Sequence, residues 1–61
     1  MEKHWYTYET GSSEIAEALK KHLHDNDIYF ECSGMGSGWH FDILATSLEV
    51  FETENLLAIL V

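Results

Sequence analysis

Two alternating segments with a glycine-rich stretch between them constrain this chain more than anything else in it. Ile28, Phe30 and Cys32 fall on one side of the first segment, and Trp39, Phe41, Ile43 and Ala45 on one side of the second. Successive side chains leave a strand on opposite faces, so this period of two marks half-buried strands. The intervening Gly34-Met35-Gly36-Ser37-Gly38 is turn-rich, and segments 28–33 and 39–45 therefore read as a β-hairpin. Its apolar faces must match across the pair. Pairing Phe30 with Phe41 achieves this, and so does pairing Phe30 with Ile43. The first register sets Glu31 against His40, with the turn at Met35-Gly36. The second sets Glu31 against Asp42, like charge against like. The first is the expected register, with Glu31 and His40 as an ion pair on the outer face, where it would make an interface sensitive to pH.

The remaining segments supply cover for that hairpin. His4 to Glu9 is aromatic and β-favouring and predicts a first strand. Thr10-Gly11-Ser12-Ser13 leads into a helix start, where Ser12 or Ser13 caps the free backbone N–H groups and Glu14 and Glu17 sit near the positive end of the helix dipole. Ile15, Ala18, Leu19 and Leu23 then follow helical spacing up to His24. Glu17 is placed to pair with Lys20 or Lys21. Asp25-Asn26-Asp27 ends the helix, with Asn26 as the expected left-handed residue. After Ala45, Thr46 or Ser47 caps a second helix, with Glu49 completing a capping box from Thr46. Leu48, Phe51, Asn55 and Ile59 mark its expected apolar face. Thr53 is an alternative cap for a shorter helix, and 56–61 also suits a short strand; a helix is expected. The order β-α-β-β-α predicts an α+β fold. It is a single compact two-layer domain over 1–61, with a three-stranded mixed sheet and two helices on one face.

A sheet covered on one face leaves the other bare. The residues expected there are His4 or Trp5, Tyr6 or its neighbours, Tyr29, Glu31, His40, Asp42 and Leu44, with at least part of the Trp5-Tyr6-Tyr8 cluster exposed and Tyr6 and Tyr8 taken as contact residues. The apolar run 56–61, with Leu57 and Leu60, also lacks cover, because a helix apolar on all sides should be buried on all sides. With 61 residues and one cysteine, the chain can form no internal disulfide to compensate for a small core. Self-association, as a homodimer or higher oligomer, is the expected remedy.

The charge narrows the partners. The sequence holds 11 acidic residues against 3 lysines and no arginine, a net charge of −8. Nucleic acid and anionic membranes are recognised through cationic side chains, so neither is an expected partner. Basic protein surfaces are. The polar N-terminus does not resemble a signal peptide, no run is long and apolar enough to span a membrane, and a lone cysteine fits a reducing compartment; the expected location is the cytoplasm.

Three clusters have the residue types of chemistry. Cys32, His40 and Asp42 are those of a cysteine nucleophile site, but alternation sends Cys32 inward to the core and the other two outward. His22, His24, Asp25 and Asp27 are metal-capable, yet i and i+2 on a helix do not share a face and the calcium-loop glycine and distal glutamate are missing. The Gly34–Gly38 stretch superficially matches a phosphate loop but leads into a strand, not a helix, and has no lysine nearby. Its Met35 sits at the tip as an adaptable contact. No catalytic, cofactor or metal site is therefore expected.

The chain is read as an acidic interaction protein that binds, and inhibits or masks, a basic protein surface such as that of a nucleic-acid-handling enzyme. Phage-encoded inhibitors of bacterial defence systems have this general character, although no motif here identifies one. The alternatives are a structural or adaptor homodimer using aromatic patches, and a small-ligand site at a dimer interface.

Overall fold

A computed structural model describes residues 2–60, with Met35 described by its backbone. The expectations placed on the Met35 side chain and on Val61 fall outside the described residues. The elements are β1 (His4–Thr10), α1 (Ser13–Asp25), β2 (Tyr29–Met35), β3 (Gly38–Ala45) and α2 (Ser47–Leu60), in the expected β-α-β-β-α order.

The sheet order is β1-β3-β2, and both ladders are antiparallel. This corrects the expected mixed sheet. β1 and β2 do run parallel, as the helical crossover requires, but β3 lies between them. The reason is burial. β3 carries Phe41, Ile43 and Ala45, all buried, and the centre of the sheet is the position that buries a strand most fully. β1 and β2 bear the charged and hydroxyl-rich edges, which suit solvent.

The hairpin register is also corrected. Phe30 pairs with Ile43, Cys32 with Phe41 and Glu31 with Asp42, with Gly36-Ser37 as the connection. The like-charge penalty is offset because each carboxylate has its own donor. The Tyr29 hydroxyl donates to Glu31 Oε2 at 2.9 Å, and His40 Nε2 donates to Asp42 Oδ1 at 3.2 Å. Gly38 has a separate task. A Cβ there would collide with the Thr10 carbonyl oxygen, so glycine lets the end of β1 approach β3 closely.

α1 starts where Ser12 Oγ accepts from the Ile15 N–H at 3.3 Å. Its buried residues are Ala16, Leu19 and Leu23, with Ile15 and Ala18 only half-buried beside them. The left-handed residue at its end is Asp27, with φ 55°, and not Asn26. Asn26 instead turns its side chain back, Nδ2 donating to the His22 carbonyl at 2.8 Å. The core joins Ala16, Leu19 and Leu23 to Ile28, Phe41, Ile43 and Ala45.

α2 begins with the expected capping box. The Thr46 N–H donates to Glu49 Oε1 at 2.9 Å, and the Glu49 N–H donates to Thr46 Oγ1 at 3.2 Å. The helix runs through Thr53 without a break. Its inner face is Val50, Thr53 and Leu57, whereas Leu48, Phe51, Asn55 and Ile59, the expected inner face, point outward. Thr53 is buried because its hydroxyl is fully used: it donates to the Glu49 carbonyl at 2.8 Å and lies 3.0 Å from His22 Nε2. With the hydroxyl proton committed, His22 Nε2–H is the donor, and this bond ties α1 to α2.

Candidate functional site

The two helices cover one face of the sheet, and the strand registers fix what the other face presents. Three rows cross it. Trp5, Leu44 and Tyr29 form the first, Thr7, Asp42 and Glu31 the second, and Glu9, His40 and Ser33 the third. The first row is apolar. The Trp5 and Tyr29 rings approach edge to face over Leu44, with centroids 6.1 Å apart and planes at 78°. Both rings remain largely exposed. The other two rows hold three carboxylates and one imidazole.

His40 organises that acidic half. Its Nδ1 donates to Glu9 Oε2 at 2.9 Å and its Nε2 to Asp42 Oδ1 at 3.2 Å, and its side chain is 28% exposed. The hydrogen bonds to Glu9 and Asp42 hold its pKa above the ordinary histidine value. The Glu31 carboxylate in turn raises the Tyr29 hydroxyl, which donates to it. No strand carries a lysine or arginine. The helix lysines are occupied on α1, Lys20 with Glu17 at 3.5 Å and Lys21 with Asp25 at 3.1 Å. The Lys21 bond holds Asp25 below its usual value. The open face is thus an acidic field beside an aromatic ridge, with no fixed positive charge on its strands.

Of the residues expected on this face, Tyr29, Glu31, His40, Asp42 and Leu44 are brought together. Tyr6 and Tyr8 are not. They have the opposite parity on β1 and are half-buried on the helix side, where they line an apolar cleft of about 110 Å³ with Leu19, Ile43, Val50 and Leu57. Leu57 is buried in that layer, and Leu60 is exposed at the end of α2. The expected Glu31–His40 pair is replaced by Glu9–His40–Asp42. Glu9 and Trp5 are members that sequence reasoning missed or left open. Thr7 and Glu9 share Trp5's parity, and that polar pair was the available sign that this side of β1 faces solvent.

The other clusters stay apart. Cys32 lies opposite Phe41 on the helix side of the sheet, while His40 and Asp42 are on the open side. Cys32 is exposed, contrary to expectation, because β2 is an edge strand. His22 is engaged by Thr53 and Asn26, and His24 lies 3.7 Å from Asp25. Among the described residues no group of His, Cys, Asp and Glu is arranged to hold a metal ion, and no helix is long and apolar enough to cross a membrane.

No protein-family model matches the chain, and neither a curated protein nor a solved structure matches it.

Proposed function

We propose that this protein is a small acidic interaction module that holds a basic protein surface on the open face of its sheet, and thereby masks or inhibits that surface. The observation that carries this reading is the single face on which Glu9, Glu31 and Asp42 adjoin the Trp5–Leu44–Tyr29 ridge. Carboxylates on a rigid sheet steer a basic partner and set its orientation, while buried aromatic anchors supply most of the affinity. A surface that normally receives phosphates, as in a nucleic-acid-handling protein, has the matching charge. The module acts without catalysis, its cysteine being separated by the sheet from the histidine and aspartate that would activate it. The apolar cleft beside Tyr6 and Tyr8 holds about 110 Å³, below the roughly 300–1,000 Å³ of ordinary ligand pockets, and the larger hollow of about 310 Å³ lined by Leu23, His24, Tyr29 and Phe30 is a shallow, open surface, which favours a protein partner over a small ligand. The exposed thiol suits a reducing, intracellular setting.

The test is capture from host lysate with wild-type bait and with Glu31→Lys and Leu44→Lys baits, each washed at low and high salt. A basic protein held by the wild type, lost from both variants and weakened by salt, supports the proposal. A partner retained by both variants, or indifferent to salt, refutes it.

A further inference from the structure

His40 stands in the acidic half of the open face, on the central strand, and the strand registers fix its surroundings. Glu9 of β1 lies across from it on one side and Ser33 of β2 on the other. Asp42, two residues further along β3, shares its face, while Thr7 of β1 and Glu31 of β2 are diagonal to it. The helices pack on the opposite side of the sheet. Lys3 precedes β1, beyond the Trp5 row, and Lys20 and Lys21 are on α1. Among the described residues, the charged groups that face the ring are therefore the three carboxylates. His40 is also the one histidine on this face, since His4 has the helix-side parity of β1 and His22 and His24 lie on α1.

Both ring nitrogens are committed. Nδ1 lies 2.9 Å from Glu9 Oε2, and Nε2 lies 3.2 Å from Asp42 Oδ1. Only the imidazolium donates to both. The neutral ring keeps one N–H, so loss of the other proton to solvent releases one of the two carboxylates and turns a lone pair toward it. The charge of the face changes at the same moment. With His40 protonated, Glu9, Glu31 and Asp42 are offset by one positive charge; with His40 neutral, nothing on the strands offsets them.

We propose that docking on this face is proton-linked: the His40 proton and a basic partner compete for Glu9 and Asp42, and the partner binds more tightly as His40 deprotonates. This rests on the docking reading above and adds its regulation. A cation seated on these carboxylates repels the imidazolium, so binding expels the proton, and expulsion is easier at higher pH. The hydrogen bonds to Glu9 and Asp42 raise the His40 pKa, which places the rise in affinity above 6.5. One unit charge a few ångströms away in water changes affinity by roughly three- to tenfold.

The test is an NMR titration of the full chain at low salt with a capped peptide made only of arginine, repeated from about pH 6 to about pH 8, where histidine titrates and arginine does not. The peptide charge is constant across this window, so any pH dependence belongs to the protein. The expected results are an affinity that rises about three- to tenfold across the window, a His40 pKa that falls when peptide is added, and no such rise in His40→Gln. The His40 pKa is read in the wild type with and without peptide, so the outcome does not hang on how well the variant folds. An affinity that is flat or falls with pH, a rise that persists in His40→Gln, or a His40 pKa unmoved by bound peptide overturns the inference and leaves the docking reading standing. Absence of binding at every pH overturns both.

Discussion

His40 can donate from both ring nitrogens only as the imidazolium, and both nitrogens face carboxylates. Glu9 on β1 and Asp42 on β3 are its direct partners, with Glu31 diagonally placed on β2. The folded state therefore binds this proton more tightly than the unfolded chain does. The sign follows from linkage. A raised folded-state pKa gives stabilisation that is complete below the ordinary value of 6.5 and is lost as pH rises through the folded-state value. Titration followed by NMR should place His40 above 6.5 in the wild type and lower it in Glu9→Gln. In His40→Gln, the fall in stability across that window should be absent. A His40 pKa at or below 6.5 contradicts the clasp. The sequence allowed half of this to be read. Alternation put His40, Asp42 and Glu31 on the outer face, but which carboxylates the imidazole would reach depended on a register decided by side-chain donors, not by the hydrophobic pattern.

At the scale of elements, the strands and helix ends were legible because their signals are local. Ser12, Thr46 and Glu49 act where their spacing puts them. The capping box makes a prediction: Thr46→Ala should cost about 0.5–2 kcal/mol in chemical denaturation, and an unchanged midpoint would mean the box contributes nothing. The orientation of α2 was not legible. Apolar residues occur around its whole circumference, so periodicity cannot choose a face. The choice is made by Val50 and Leu57 packing inward and by the hydroxyl of Thr53 meeting His22. The place of β1 beside β3 was hidden for a similar reason, since strand order is a long-range matter. Gly38 is the trace it leaves. Gly38→Ala should destabilise the domain and loosen the Gly11 end of β1, seen as faster amide exchange at Thr10 and Gly11. Gly34→Ala, with open space around it, should perturb far less. Equal behaviour of the two variants would refute the close approach.

Over the whole molecule, charge is partitioned. The lysines of α1 are paired locally, Leu48, Phe51 and Ile59 point outward from α2, and the sheet presents carboxylates beside an aromatic ridge. The sequence revealed the size of the acidic surplus but not its distribution, because that depends on which parity of each strand faces solvent. Tyr6 and Tyr8 illustrate this. As aromatic strand residues they looked like interface anchors, and one step along β1 moved them into the helix layer while Trp5 and Glu9 took the open face.

The most direct test of the central claim, that the open sheet face is the docking surface for positive charge, is an NMR titration of the full chain with an arginine-rich peptide at low salt. The account predicts shifts concentrated on Trp5, Glu9, Glu31, His40 and Asp42 and reversed by added salt. Shifts concentrated on Glu14, Glu17, Glu52 and Glu54, or spread evenly over the acidic residues, would contradict it.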